Sequence, residues 1–152
     1  MPTQLAESFR AELRAIRVEL GTIPHELVDT PWRVGGWTRK QILGHLLDSA
    51  TNNRQRFVRA AIEGHYEGPA YSQEPWVEAH GYANQTWTTL LNWWDVEHAI
   101  LATVVDRTPE CRLEAECIVS DNAAVTLRFL IQDYLQHQRW HLQQMLTGAK
   151  AT

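Results

Sequence analysis

Cysteine is scarce. The 152 residues hold two, Cys111 and Cys117, six apart and with no second pair. That excludes a disulfide-stapled scaffold, a zinc knuckle and a Cys-x-x-Cys redox centre. Both are read as reduced, small apolar residues on one face of a strand, in a cytoplasmic protein. Basic charge is also in deficit. Lys and Arg total 14 against 18 Asp and Glu, for a net charge of -4, so no positive field draws in nucleic acid or an acidic membrane surface. No stretch reaches the roughly 20 apolar residues of a membrane span. The segment Met1–Ser8 has neither a basic start nor an apolar core, so no signal peptide is expected. Low-complexity tracts and internal repeats are absent, and the length suits one domain over residues 1–152.

What the chain does have is helical periodicity and an unusual supply of Trp and His, seven of each. Leu5, Phe9, Leu13, Ile16 and Leu20 recur at three- and four-residue steps, predicting a helix over 4–20 that Gly21 and Pro24 stop. Thr38 followed by Gln41 is a capping box for a second helix running to about Glu63. A connection of about 20 residues follows, from His65 to Gln85. It is rich in Gly, Pro, Tyr and Trp, with a short helical turn near 76–80 and enough reach to cross from one end of a bundle to the other. A third helix spans about 86–105. Alternation of Leu113, Ala115, Cys117 and Val119 with polar residues predicts a strand or hairpin turning at Asp121-Asn122. A fourth helix covers about 126–146. The pattern is all-α: a four-helix bundle with a long crossover between helices two and three and a small β excursion before helix four.

Chemistry concentrates in the fourth helix. His137 and His141 lie four apart, so both imidazoles share one face, along the edge of the stripe formed by Leu127, Leu130, Ile131, Tyr134, Leu135, Leu142 and Met145. Burying imidazole without partners costs roughly 1–3 kcal/mol per group. A shared metal ion removes that cost, and such a site needs a third protein ligand. His45 is the best candidate. It heads a polar strip, His45, Ser49, Asn52 and Arg56, beside the apolar stripe of helix two. His98, near Trp94 and Leu101, is its main rival. His65 and His80 lie in the crossover as candidate proton shuttles, and His25 has no supporting pattern.

The block Gly36-Trp37-Thr38-Arg39-Lys40-Gln41-Ile42-Leu43-Gly44-His45-Leu46-Leu47-Asp48, the segment Trp87–Trp94 and the closing block Tyr134–Met145 together resemble the DinB superfamily. Within it the chain is most similar to the YfiT-like branch, related to bacterial thiol S-transferases. The resemblance covers nearly the whole chain. It implies an up-down-down-up bundle and a divalent ion on His45, His137 and His141 with positions left for water. It also implies a chemistry among the thiol-dependent transferases, isomerases and hydrolases, and it marks Tyr71–Trp76 as a pocket-facing loop.

Three imidazoles leave coordination open, the arrangement of a catalytic ion. Such an ion acidifies water, for hydrolysis, or holds a thiol as thiolate, for transfer to an electrophile. Gln138 stands where a His-Glu-x-x-His peptidase has its general base, so peptidase action is not expected. Ligand type leaves zinc, nickel, iron and copper open. Asp48 and Asp133 are candidate ring-orienting partners of His45 and His137. Asn52, Arg56, Tyr71, Trp76 and Tyr82 are candidate substrate-binding residues, with Arg56 anchoring an anionic group and the aromatics covering it. The expected partners are a small-molecule substrate, a low-molecular-weight thiol and a second copy of the chain, with no nucleic acid and no membrane. Two other readings stand beside the enzyme. One is a non-catalytic metal-binding or stress-response bundle, and the other is a metal-free interaction module.

Overall fold

The computed structural model describes residues 3–150. Four long helices form the body: α1 (Gln4–Leu20), α2 (Arg39–Glu63), α4 (Trp87–Arg107) and α5 (Leu127–Thr147), with a short α3 (Gln73–His80) in the crossover. Each long helix starts on a threonine whose hydroxyl accepts a hydrogen bond from a backbone N–H three residues on: Thr3, Thr38, Thr86 and Thr126. Such a cap is worth about 1 kcal/mol. The capping box forms in full, since Gln41 Oε1 also accepts from Thr38 N–H at 3.0 Å. Gly64 ends α2 at φ 76°, a left-handed conformation that favours glycine.

The helices pack α1 against α4 and α5, and α2 against α4 and α5. The pairs α1/α2 and α4/α5 therefore face each other across the diagonals. The ion pairs Arg10–Asp106 and Arg17–Asp95 run α1 antiparallel to α4. Arg139 reaches Glu12 and Glu19 from α5, which lies parallel to α1. Up-down-down-up order follows, and the crossover is what lets α2 and α4 run the same way. The core holds Phe9, Ile16, Ile42, Leu43, Leu46, Leu47, Phe57, Leu90, Leu101, Leu127 and Ile131, all buried. Each such side chain contributes roughly 1.5–3 kcal/mol.

The crossover is more ordered than its composition suggests. Its first four residues form β1 (His65–Gly68), which pairs in parallel with β2 (Glu116–Val119); β2 pairs antiparallel with β3 (Val125–Thr126). The β excursion is thus a three-stranded sheet that recruits a strand from the other loop. Alternation located β2 correctly, because Leu113, Ala115 and Cys117 all point inward. The cysteines do not share a strand face, however. Cys111 is exposed in a turn of 3-10 helix (Glu110–Arg112), whereas Cys117 is buried on β2; both are free thiols.

Arg39 ties the ends of α2 and α5 together. It is fully buried, and its guanidinium donates to the carbonyls of Met145, Thr30 and Pro31 at 3.1–3.2 Å. The Met145 carbonyl belongs to the last turn of α5, where the helix dipole favours a cation.

Candidate metal centre

α2 and α5 run antiparallel, and this brings His45 opposite His137 and His141. One ring nitrogen from each of the three lies within 4.8 Å of the others. His45 Nε2 and His137 Nε2 are 3.2 Å apart. Two nitrogens bound to one ion at ~2.0–2.1 Å and a tetrahedral angle lie roughly 3.3–3.4 Å apart. The spacing therefore suits two ligands of a single ion, and the donor set suits an imidazole-binding divalent metal.

The remaining nitrogens have partners that aim the rings. His141 Nδ1–H donates to Gln144 Oε1 at 2.7 Å, and His137 Nδ1 faces Ser49 Oγ at 3.4 Å. In the tautomer with the proton on Nδ1, each of these two rings keeps the Nε2 lone pair free for an ion. His45 is fully buried, and its Nδ1 has no hydrogen-bond partner among the described residues. Trp37 packs on the His45 ring and Trp140 on that of His141.

Burial disfavours protonation of all three rings. The pKa of His45 falls to about 3, through burial first and then the neighbouring His141 and His137. His137 falls to about 4, through burial and then His141, and His141 is also lowered by burial. At neutral pH all three present lone pairs, the form that binds metal.

The other histidines lie elsewhere. His98 is buried in the core: its Nδ1–H donates to the Trp94 carbonyl at 2.8 Å, and its Nε2 accepts from Tyr134 Oη–H at 2.5 Å. It is no rival ligand. His25 and His65 are exposed. His80 sits on α3 with Nδ1 at 2.8 Å from the Trp76 carbonyl and 3.2 Å from Asp48 Oδ1.

The two aspartates separate. Asp133 faces solvent and orients nothing. Asp48 is buried, but it serves the crossover and not His45: Tyr82 Oη–H donates to its Oδ1 at 2.6 Å, while Oδ2 has no partner among the described residues. Burial raises the Asp48 pKa, against the opposing effects of Tyr82 and His80.

The expected substrate residues divide likewise. Asn52, Arg56 and Trp76 line a cleft of about 340 Å³ with Tyr66, Gly68 and Pro69. Arg56 forms no ion pair among the described residues; its guanidinium donates to the Pro69 carbonyl at 3.3 Å. Tyr71 is half-buried beside Trp76 and interacts with Ser49, the partner of His137. Tyr82 is a correction. It does not cover a pocket: it is buried against Gly44, because that glycine leaves room for its ring on α2. No histidine of the cluster lines the Arg56 cleft. A larger open groove between α1 and α5, about 1340 Å³, includes His137 and Trp140 in its wall. Ser49, Gln144 and Gln138 are the site residues that sequence reasoning missed as ring-orienting or packing partners. Only Gln144 carried a helical signal, three residues from His141; Ser49 meets His137 across α2 and α5, and Gln138 bonds Trp94 and Tyr134 instead of a cluster histidine.

The profile of the DinB superfamily matches residues 7–145. The chain belongs to the DinB superfamily. A Bacillus cereus (strain G9842) protein named a "putative metal-dependent hydrolase" is 38% identical over 71 residues, 40% of this chain and 41% of that protein. A Bacillus mycoides (strain KBAB4) protein of the same description is 37% identical over the same length. The matches thus span about two fifths of the length of these curated relatives. Among solved structures, YfiT from Bacillus subtilis, described as a probable metal-dependent hydrolase with an unusual four-helix bundle topology, superposes with a TM-score of 0.83. It is 20% identical, over 96% of this chain and 86% of that one. A mycothiol-dependent maleylpyruvate isomerase superposes at 0.76 with 16% identity, over 98% of this chain and 61% of that one. These likenesses establish the bundle shared by this DinB-superfamily chain.

Proposed function

We propose that this chain is a metal-dependent enzyme that holds one divalent ion on His45, His137 and His141 and activates water or a low-molecular-weight thiol against a small-molecule electrophile. The observation that carries this reading is the convergence of three neutral imidazoles from two helices, two of them aimed by separate side-chain partners. A divalent ion with three protein ligands keeps coordination free and supplies Lewis acidity to a bound nucleophile. The protein's own part is to orient the rings through Ser49 and Gln144, to keep them unprotonated by burial, and to shield them with Trp37. Arg56 anchors an anionic end of the ligand, and Trp76 and Tyr71 flank it. Arg56 lies 11 residues beyond His45, roughly 16 Å along the helix, so such a ligand is extended and passes Asn52 and Ser49. Hydrolysis draws support from the names of the curated relatives, and thiol transfer from the mycothiol-dependent structural neighbour.

The test is metal analysis of protein prepared without a His-tag, followed by paired screens of ester or amide hydrolysis and of thiol addition to electrophiles. About one equivalent of metal is expected in the parent, with loss in His45→Ala, His137→Ala and His141→Ala. Metal retained in all three variants, or no stoichiometric binding by the parent, overturns the reading. Turnover that requires added thiol selects transfer; turnover without it selects hydrolysis.

A further inference from the structure

Beneath the histidine cluster four buried polar side chains close a ring across the bundle diagonal. Trp94 Nε1–H donates to Gln138 Oε1 at 3.3 Å. Gln138 Nε2–H donates to Tyr134 Oη at 3.2 Å, and Tyr134 Oη–H donates to His98 Nε2. His98 Nδ1–H returns to the Trp94 carbonyl at 2.8 Å. The second Gln138 amide proton points to the Leu46 carbonyl at 3.4 Å, on the residue next to His45. Gln138 is fully buried, and Tyr134 and His98 are nearly so. Every polar atom of these four side chains has a partner.

We infer that this ring is a positioning device for the metal ligands, with Gln138 at its centre. The inference rests on the metal reading above. Gln138 lies in sequence between the two ligands of α5, and its amide is tied to the neighbour of the ligand on α2. A slip of one residue swings every side chain of a helix by about 100°. Leu and Phe layers of similar volume tolerate such repacking, whereas a ring with a directional partner for each atom admits one rotation of α5 against α2 and α4. The same four groups are expensive in an apolar core unless all are satisfied. A layer of Leu and Phe would fill the space at lower cost, but it would not aim His137 and His141 at His45. Trp94, Tyr134, His98 and Gln138 are positioning residues: they act through the histidines and touch no ion.

The experiment is cobalt(II) titration of purified, metal-free protein, read by the visible absorption of the bound ion. It compares the parent with Gln138→Met, Tyr134→Phe and Leu113→Ala. Gln138→Met keeps the volume and removes the amide. Tyr134→Phe opens the ring at one point and leaves Gln138 bonded to Trp94 and Leu46. Leu113→Ala removes a buried side chain beside the start of α5, where the Leu113 carbonyl accepts from Arg128 N–H about two and a half turns of helix before His137, and reports the effect of lost stability alone. The expected result is a cobalt affinity lower by roughly 10-fold or more in Gln138→Met, within the range seen when outer partners of metal ligands are removed. The visible band should change with it. Tyr134→Phe should show a smaller loss in the same direction, and Leu113→Ala should keep the parent's affinity and band. Parent-like cobalt binding by folded Gln138→Met overturns the inference, as does an equal loss in Leu113→Ala. If Gln138→Met does not fold, Tyr134→Phe decides alone, and parent-like affinity there overturns it. A parent that binds no cobalt overturns the metal reading itself and this one with it.

Discussion

Gly44→Ala sets two physical effects against each other with opposite sign. Helix propensity favours alanine over glycine by about 1 kcal/mol in a helix interior, so on propensity alone the variant is more stable. The structure says otherwise. A Cβ at position 44 meets Tyr82 Cδ2 at 2.0 Å and Cγ at 2.2 Å. Ordinary contact requires well over 3 Å, so either the ring or the helix has to move by more than 1 Å. Tyr82 is buried and has no open space to enter. If the ring moves, Asp48 Oδ1 loses its 2.6 Å hydrogen bond from the phenol, and a buried carboxyl left short of a donor costs about 1–3 kcal/mol. Overpacking adds about 1–3 kcal/mol. Offset by propensity, the net is a destabilisation of roughly 1–5 kcal/mol, a fall in Tm of about 2–20 °C for a domain of this size. Urea unfolding of parent and variant measures it directly. A Gly44→Ala protein as stable as the parent, or more so, would refute the packing argument. In a Tyr82→Ala background the same substitution should cost much less than in the parent, since the clash then has no partner.

Other outcomes follow from the same geometry. The metal-free protein should lose stability as pH falls from about 6.5. His45, His137, His98 and His141 all have folded pKa values below the ordinary histidine value, at about 3, about 4, about 4 and lowered. The unfolded chain therefore takes up protons first, and stability present above 6.5 drains away down to about pH 3. The histidines make the loss steepest between pH 6.5 and about 4, and Asp48, raised by burial above the ordinary carboxylate value, offsets part of it on the acid side of that window. A flat urea midpoint across that range would contradict the burial of these rings. Divalent metal should raise Tm in the parent by mass action, and His137→Ala should fold yet lose that increment; an increment that survives counts against the site. Arg56→Ala should keep its metal and lose affinity for an anionic thiol ligand; equal ligand binding by calorimetry would remove Arg56 from the site.

Much of the bundle is legible because helices announce themselves locally. The stripe from Phe9 to Leu20, the box at Thr38 and Gln41, and the glycine closing α2 each depend on residues a turn apart. The long crossover permits parallel α2 and α4, the order that the family resemblance implies. β1 stayed hidden because His65–Gly68 earns its strand only by pairing with residues some 50 positions away. Tyr82, in a Gly- and Pro-rich loop, reads from the sequence as apolar cover for a bound ligand. Its burial depends on Gly44, on another element, having no side chain. Asp48 looked like a partner for His45 because the two are a turn apart, but a loop phenol reached its oxygen instead.

By itself, the sequence determined the helices, their order and the pair His137/His141, since 3.6-residue periodicity is a property of neighbours along the chain. The choice of His45 over His98 drew on the polar strip below it and on family resemblance. Only the tertiary structure decided that choice physically. The antiparallel register of α2 on α5 places His45 Nε2 beside His137 Nε2, while the α4/α5 diagonal encloses His98 between Trp94 and Tyr134. Both histidines lie on inward stripes of long helices. Which stripe faces the pair is a matter of how the helices are arranged about one another, and local periodicity carries no information about that.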